Sequence, residues 1–233
     1  MTERRISIAI DGHSSCGKST LARDVAQRLG YAHVDSGAMY RAMALALLRD
    51  GLTPSELADN ESAQREFLAR HTLEAKISSE GKVELWLDGK KEEEALRLPE
   101  VAAVVSEVSA WPLVRSKMHA LQRELAACGG VVMDGRDIGT VVLPEADLKI
   151  FLTASLPVRV ERRRKELESK GIFLRNEEVE ENLKKRDYLD THRPFDPLRK
   201  ASDARVLDNS YLTREEQTME VMRWVQQILG GSF

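Results

Sequence analysis

Ile6-Ser7-Ile8-Ala9-Ile10-Asp11-Gly12-His13-Ser14-Ser15-Cys16-Gly17-Lys18-Ser19-Thr20-Leu21 is the stretch that decides the fold. Its first five residues form a short apolar run of the kind found in a strand buried within a parallel sheet. Leu21, Ala22, Val25, Ala26 and Leu29 then recur at helical spacing, and Gly30 is placed to end that helix. Between the two lies Gly12 to Ser19, which fits the Walker A pattern in the strand–loop–helix context that the pattern requires. Glycines let backbone N–H groups wrap phosphates, and the following helix points its positive end at them. Gly12, His13, Ser14, Ser15, Cys16, Gly17, Lys18, Ser19 and Thr20 are therefore read as the ATP cradle. Lys18 neutralises the β- and γ-phosphates, and the Ser19 hydroxyl sits on Mg²⁺. His13 is read as a bystander at the loop tip, and Cys16 as an oxidisable thiol at a helix N-terminus.

Outward from this unit the chain reads as α/β. A second helix is expected over about 38–49. Leu73 to Ile77 and Val83 to Leu87 read as two strands joined at Ser78-Ser79-Glu80-Gly81, with another turn at Asp88-Gly89, forming a small antiparallel insert. Helices follow at Pro99–Ala110 and Val114–Ala127. Val131 to Met133, Leu148 to Leu152 and Ala204 to Leu207 are further strands, and charged helices cover about 157–170 and 176–190. The last helix opens at Thr213 with Glu216 three residues on, a capping box, and is expected to bury Met219, Met222, Val225 and Leu229. The sum is a parallel sheet flanked by helices, with one insert and one arginine-rich mobile segment.

Bulk properties narrow the partners. The 233 residues carry a formal charge of −3, with 42% hydrophobic and 31% charged residues. This suits a soluble globular protein and gives no global attraction to nucleic acid or membrane. Two cysteines, Cys16 and Cys128, lack metal-ligand spacing and fit a reducing compartment. The N-terminal apolar run is too short for a signal peptide, so a cytoplasmic location is expected.

Three clusters point to an acceptor. In Asp35-Ser36-Gly37-Ala38-Met39-Tyr40-Arg41, Ser36 is placed to cap the helix and Arg41 to meet a phosphate. In Val131-Val132-Met133-Asp134-Gly135-Arg136-Asp137-Ile138-Gly139, an apolar strand ends in a Walker B-like Asp134 that holds the Mg²⁺ shell. Arg136 and Asp137 follow at the strand's carboxyl end, where open α/β sheets bind ligands. The third cluster is Arg159, Arg162, Arg163, Arg186 and Arg193. From Ser155 to Lys200 thirteen Lys/Arg face ten Asp/Glu, a near balance that argues against a nucleic-acid tract. An arginine-bearing lid supplies cations to a moving phosphoryl group and excludes water.

Together these clusters resemble bacterial cytidylate kinases, within the P-loop nucleoside monophosphate kinases, over nearly the whole chain. The resemblance rests on the P-loop, Asp35 to Arg41, Asp134 to Val142, and Lys185-Arg186-Asp187 with Asp190 and Arg193. It implies the nucleoside monophosphate kinase fold and Mg²⁺-dependent transfer from ATP to CMP or dCMP in pyrimidine metabolism. It also implies a single kinase unit with a core at 1–60, 111–155 and 200–233, a CMP-binding insert at about 61–110 and a lid at about 156–199. By resemblance Lys18, Arg136, Arg159, Arg163 and Arg193 are catalytic, with Arg159 and Arg163 in the lid over ATP. Arg41, Arg136 and Arg193 meet the CMP phosphate, with Ser36 also on the substrate side. Ser106 and Arg115 read the cytosine with Asp137 close by, and Arg186 and Asp190 touch the ribose. The chain departs from the family at His13-Ser14-Ser15-Cys16, at Asp196, where a serine is expected, and at Asn209, where a threonine or serine is expected.

The acceptor phosphate is already an anion, so in-line transfer needs no strong base. A monomer is expected. Alternatives are a kinase for UMP or for a hydroxylated metabolite, the latter with Asp35 as base, and a nucleotide-dependent switch. The switch calls for a guanine-reading Asn-Lys-x-Asp, which the sequence lacks.

Overall fold

The computed structural model describes residues 4–78, 81–127 and 129–230. Ser79 and Glu80 of the expected hairpin turn, and Cys128, lie outside the described residues. The chain runs β1 (Ser7–Gly12), α1 (Lys18–Leu29), β2 (Ala32–Asp35), α2 (Ser36–Arg49), α3 (Pro54–Leu57) and α4 (Glu61–Arg70). Next come β3 (Leu73–Ile77), β4 (Val83–Leu87), β5 (Lys90–Glu92), a 3₁₀ turn at Ala95–Arg97, α5 (Pro99–Val108) and α6 (Pro112–Ala126). Then follow β6 (Val131–Gly135), a π-helical turn at Ile138–Val142, β7 (Leu148–Thr153), α7 (Leu156–Glu168), α8 (Asn176–His192), β8 (Arg205–Asp208) and α9 (Arg214–Leu229).

Five strands make one parallel sheet in the order β2-β6-β1-β7-β8. β1 is central because both its faces are apolar: Ile8, Ala9 and Ile10 are buried, Ala9 in one core and Ile8 and Ile10 in the other. The first core packs α2, α5 and α6 against one face of the sheet; the second packs α1 and α9 against the other. Registers place Asp35 beside Asp134 and Asp11 beside Gly135, so the carboxyl ends of three neighbouring strands finish level. The loops after those strands build the site.

The insert is a three-stranded antiparallel sheet, β3-β4-β5, one strand more than the sequence suggested. Short Lys90–Glu92 carries no apolar alternation, which is why it was not legible as a strand. β2, α3 and α4 were also not anticipated. Asp35, and not Ser36, caps α2: its carboxylate accepts from Ala38 N at 3.0 Å, while Ser36 Oγ donates to the Asp134 carbonyl at 2.6 Å. The Thr213–Glu216 capping box is formed. Met219, however, is 43% exposed, and Val221 and Val225 are the fully buried residues of α9. The face of α9 that meets α1 runs through Thr218, Val221 and Val225, and Met219 falls beside it, where its sulfur meets Arg28. Among the described residues, no helix is long and apolar enough to cross a membrane.

Candidate active site

The loop between β1 and α1 wraps tightly because two glycines permit it. A Cβ at Gly12 would sit 2.1 Å from the Leu152 carbonyl oxygen, so only glycine lets β1 enter the loop against β7. Gly17, with φ of +93°, turns the chain into α1. Lys18 folds back to donate from Nζ to the His13 carbonyl at 2.7 Å. Burial lowers its pKa, and the charge of Arg136 lowers it further. Cys16 is fully buried, its Sγ on the His13 carbonyl at 3.0 Å, so the thiol expected to be oxidisable is shielded from solvent. Gly12, His13 and Cys16 shape the loop from behind. Ser14, Ser15, Gly17, Lys18, Ser19 and Thr20 line a cleft of about 760 Å³.

Beside Lys18, Ser19 Oγ donates to Asp134 Oδ2 at 2.6 Å, joining the loop to the end of β6. The other carboxylate oxygen of Asp134 lies 2.8 Å from Nε2 of His33. An all-oxygen pair from a hydroxyl and a carboxylate, next to a phosphate loop, fits a hard cation such as Mg²⁺.

Across the cleft stand the residues expected on the acceptor side. Arg136 donates from Nε to Asp190 Oδ2 at 2.6 Å and from Nη2 to Ser14 Oγ at 2.8 Å, spanning from α8 to the P-loop. Burial acts to lower its pKa, but Asp190 more than offsets this. Asp190 is held below the usual carboxylate range: burial pushes it up, and Arg136 outweighs burial. Arg186 lines the same space, and its Nε has no partner among the described residues. Burial, and then the charge of Arg136, push its pKa down to about 10. Several guanidinium groups thus crowd one cleft with too few carboxylates near them, the condition that an incoming polyanion relieves.

Arg41 lines the cleft and pairs with Asp35 Oδ2 at 2.8 Å. Burial acts to raise the Asp35 pKa and Arg41 overrides it, so this capping carboxylate is a poor candidate for the base a hydroxyl acceptor needs. Arg163 lines the cleft and pairs with Glu166 at 2.7 Å. Arg159 lies behind the loop, donating to the Ser14 carbonyl at 3.3 Å and to Asp187 Oδ2 at 2.5 Å. Asp187 is held down at about 2: burial raises it, and the neighbouring His13, 3.5 Å away, and Arg159 prevail.

At the far end, Arg115 is 1% exposed. It donates from Nη1 to the Ser109 carbonyl at 3.0 Å and from Nη2 to Asp137 Oδ2 at 2.5 Å, with its Cζ 5.5 Å from the Tyr40 ring centroid. Ser106, half-buried on α5, lines the same end. Arg193 donates to the Asp196 carbonyl from Nε at 2.8 Å and lies 3.6 Å from Asp137 Oδ1. His119, Asp137 and Asp196 come within 4.8 Å of one another. Two guanidiniums already hold those carboxylates, so the trio is an ion-pair network and not a cation site.

Sequence reasoning missed several supports. Asp11, buried at the end of β1, accepts from Ile138 N at 2.8 Å and Gly139 N at 2.7 Å, capping the π-helical turn. Asn209, 1% exposed, donates to the Cys16 carbonyl at 2.9 Å and accepts from Arg162 Nη1 at 2.9 Å, steadying the P-loop from below. Asp11 directly follows the apolar run, but nothing in its spacing tied it to residues 127 positions away.

A parallel sheet with a phosphate loop after its central strand, facing a wall of buried cations, defines a P-loop phosphotransferase. Residues 8–227 match the sequence model of the cytidylate kinases. Relatives named cytidylate kinase include one from Parabacteroides distasonis, 46% identical over 98% of this chain and 100% of that protein. Another, from Flavobacterium johnsoniae, is 45% identical over 97% of this chain and 98% of that protein. The chain belongs to the cytidylate kinase family.

Proposed function

We propose that the chain transfers the terminal phosphoryl group of ATP directly to a phosphate oxygen of CMP or dCMP, giving ADP and CDP or dCDP. The observation that carries this reading is the single cleft, which joins the P-loop to the Ser106–Arg115–Asp137 end through a bridge of arginines. One bond forms, from the acceptor oxygen to the γ-phosphorus, and one breaks, from that phosphorus to the β–γ bridging oxygen. No group needs to remove a proton, because the acceptor is already ionised. Catalysis consists of holding two polyanions in line and neutralising the charge between them.

Ser14 to Thr20 cradle the ATP phosphates, with Lys18 released from the His13 carbonyl to meet them. Arg41, Arg136 and Arg193 receive the CMP phosphate, Arg186 and Asp190 the sugar, and Ser106, Arg115 and Asp137 the cytosine. Ser19 and Asp134 would hold Mg²⁺, which would supply charge neutralisation on the ATP phosphates. Residues 61–110 act as the CMP-binding insert and 156–199 as a lid, on which Arg159 and Arg163 approach the transferred group, around a core of 1–60, 111–155 and 200–233. The enzyme works as a monomer in the cytoplasm on small nucleotides, without nucleic acid.

A coupled ADP-release assay with Mg·ATP and CMP, dCMP, UMP, AMP, GMP or no acceptor tests the reading. Fast turnover is expected with CMP and dCMP. Equal ADP release without any acceptor would reduce the chain to an ATPase.

A further inference from the structure

Behind the Arg115–Asp137 pair, α6 carries a polar side chain that touches the pair and that phosphoryl transfer leaves unused. His119 follows Arg115 by one helical turn, on the same face, and is buried. Its Nε2 lies 3.1 Å from Arg115 Nη2 and 3.0 Å from Asp137 Oδ2, so it touches both members of the pair. Its Nδ1 faces Asp196 Oδ2 at 4.0 Å, and that same oxygen accepts from Arg115 Nε at 3.2 Å. Asp196 adopts a φ of +48°, a left-handed conformation that Asp tolerates better than most side chains.

We propose that His119 is a positioning residue for base selection: it fixes Arg115 and Asp137 as a donor beside an acceptor, and so favours a base with an amino group next to a bare ring nitrogen. This rests on the CMP kinase reading above.

The chemistry follows from the two pyrimidine edges. Cytosine offers a bare N3 and an N4 amino group, whereas uracil offers N3–H and a carbonyl O4. A fixed donor beside a fixed acceptor matches the first edge and opposes the second at both points. Discrimination lasts only while neither group can turn aside, because a loosened pair admits water that pairs with either base. Arg115 spends Nε on Asp196, Nη1 on Ser109 and Nη2 on Asp137, and Asp137 keeps Oδ1 toward Arg193, 3.6 Å away. His119 closes this ring with either proton arrangement. An N–H on Nε2 donates to Asp137, and a bare Nε2 accepts from Arg115. Asp137 is also kept an acceptor: burial acts to raise its pKa, but His119 is the largest of the influences that bring it below the usual range, ahead of Arg115 and Arg193.

His119→Leu removes both ring nitrogens at similar volume, and His119→Gln returns an amide near the Nε2 position. Both are compared with the unaltered chain in steady-state kinetics with CMP and UMP, and with ATP varied. In His119→Leu the KM for CMP is expected to rise about tenfold and the CMP:UMP ratio of kcat/KM to fall about tenfold. kcat and the KM for ATP are expected to stay within about twofold. His119→Gln is expected to recover most of the ratio. An unchanged ratio in His119→Leu, or a loss spread evenly over CMP, UMP and ATP, overturns the proposal. If His119→Leu does not fold, His119→Asn against His119→Gln decides: Asn sets its amide near Nδ1, away from the pair, so equal ratios overturn the proposal and a lower ratio in Asn supports it. An unaltered chain inactive on CMP would overturn the kinase reading and this inference together, whereas activity with an insensitive ratio overturns the inference alone.

Discussion

The two walls of the cleft are built by different means. The proposed donor wall is a run of consecutive residues, Ser14 to Thr20, that offers phosphate backbone N–H groups and one lysine. The proposed acceptor wall draws Arg41 from α2, Ser106 from α5, Arg115 from α6, Arg136 after β6 and Arg186 from α8, and holds three of its arginines by the ion pairs Arg41–Asp35, Arg115–Asp137 and Arg136–Asp190. A wall that offers backbone is expected to tolerate His13, Ser14, Ser15 and Cys16 where other side chains are usual, because the side chains need not be the ligands. A wall built of side chains depends on what stands behind each one. Removing a partner from a buried pair strands the other charge.

The largest expected effect comes from the donor wall's single indispensable side chain. Lys18→Ala is expected to lower kcat by about 10³ or more, since it removes the cation that leaves the His13 carbonyl to meet the β- and γ-phosphates. Single-turnover measurement with saturating CMP checks this. A drop of under tenfold would mean that the loop's amides suffice and that the donor wall works through backbone alone. The acceptor wall is next. Arg136→Ala is expected to cost about 10² in kcat/KM for CMP while leaving the KM for ATP within a few-fold. Equal losses on both substrates would show that the Arg136–Ser14 bond at 2.8 Å supports the loop more than it binds the acceptor.

Legibility in the sequence divides along the same line. The P-loop and its two flanking elements could be read directly, because strand, glycine turn and helix are adjacent and each has its own period. The insert's β3 and β4 were read to the residue because their alternation and turn signals are local. Arg41, Arg136 and Arg186 were legible as arginines in suggestive places, but their mutual distances were not. His33, Asp11 and His119 were silent, since what each does depends on a partner 18 to 128 residues away. Ser36 was read as a cap because serine commonly caps helices. Asp35 takes the role because its carboxylate reaches Ala38 N, while the Ser36 hydroxyl is drawn to the Asp134 carbonyl on the neighbouring strand.

Asp11 ties the two walls together, and the smallest expected effect concerns it. It stands at the end of the donor strand, yet its two oxygens hold the amides of Ile138 and Gly139, which follow the acceptor wall's Arg136 and Asp137. Burial raises its pKa from the ordinary 3.8 to about 6, against the lowering pull of those two hydrogen bonds. Between about pH 4 and pH 6 the folded chain therefore keeps a proton that the unfolded chain has released. The stability due to this group is greatest below about pH 4, declines as pH rises, and levels off above about pH 6. Asp11→Asn removes the titration and replaces it with a loss that does not vary with pH. The stability advantage of the unaltered chain over Asp11→Asn, measured by urea denaturation, is expected to shrink by about 2 kcal/mol from pH 4.5 to pH 7. A gap that stays constant over that range would mean Asp11 is ionised throughout, held by the two amides despite its burial, and the strand end would then bind its loop by the same backbone chemistry that the P-loop uses for phosphate.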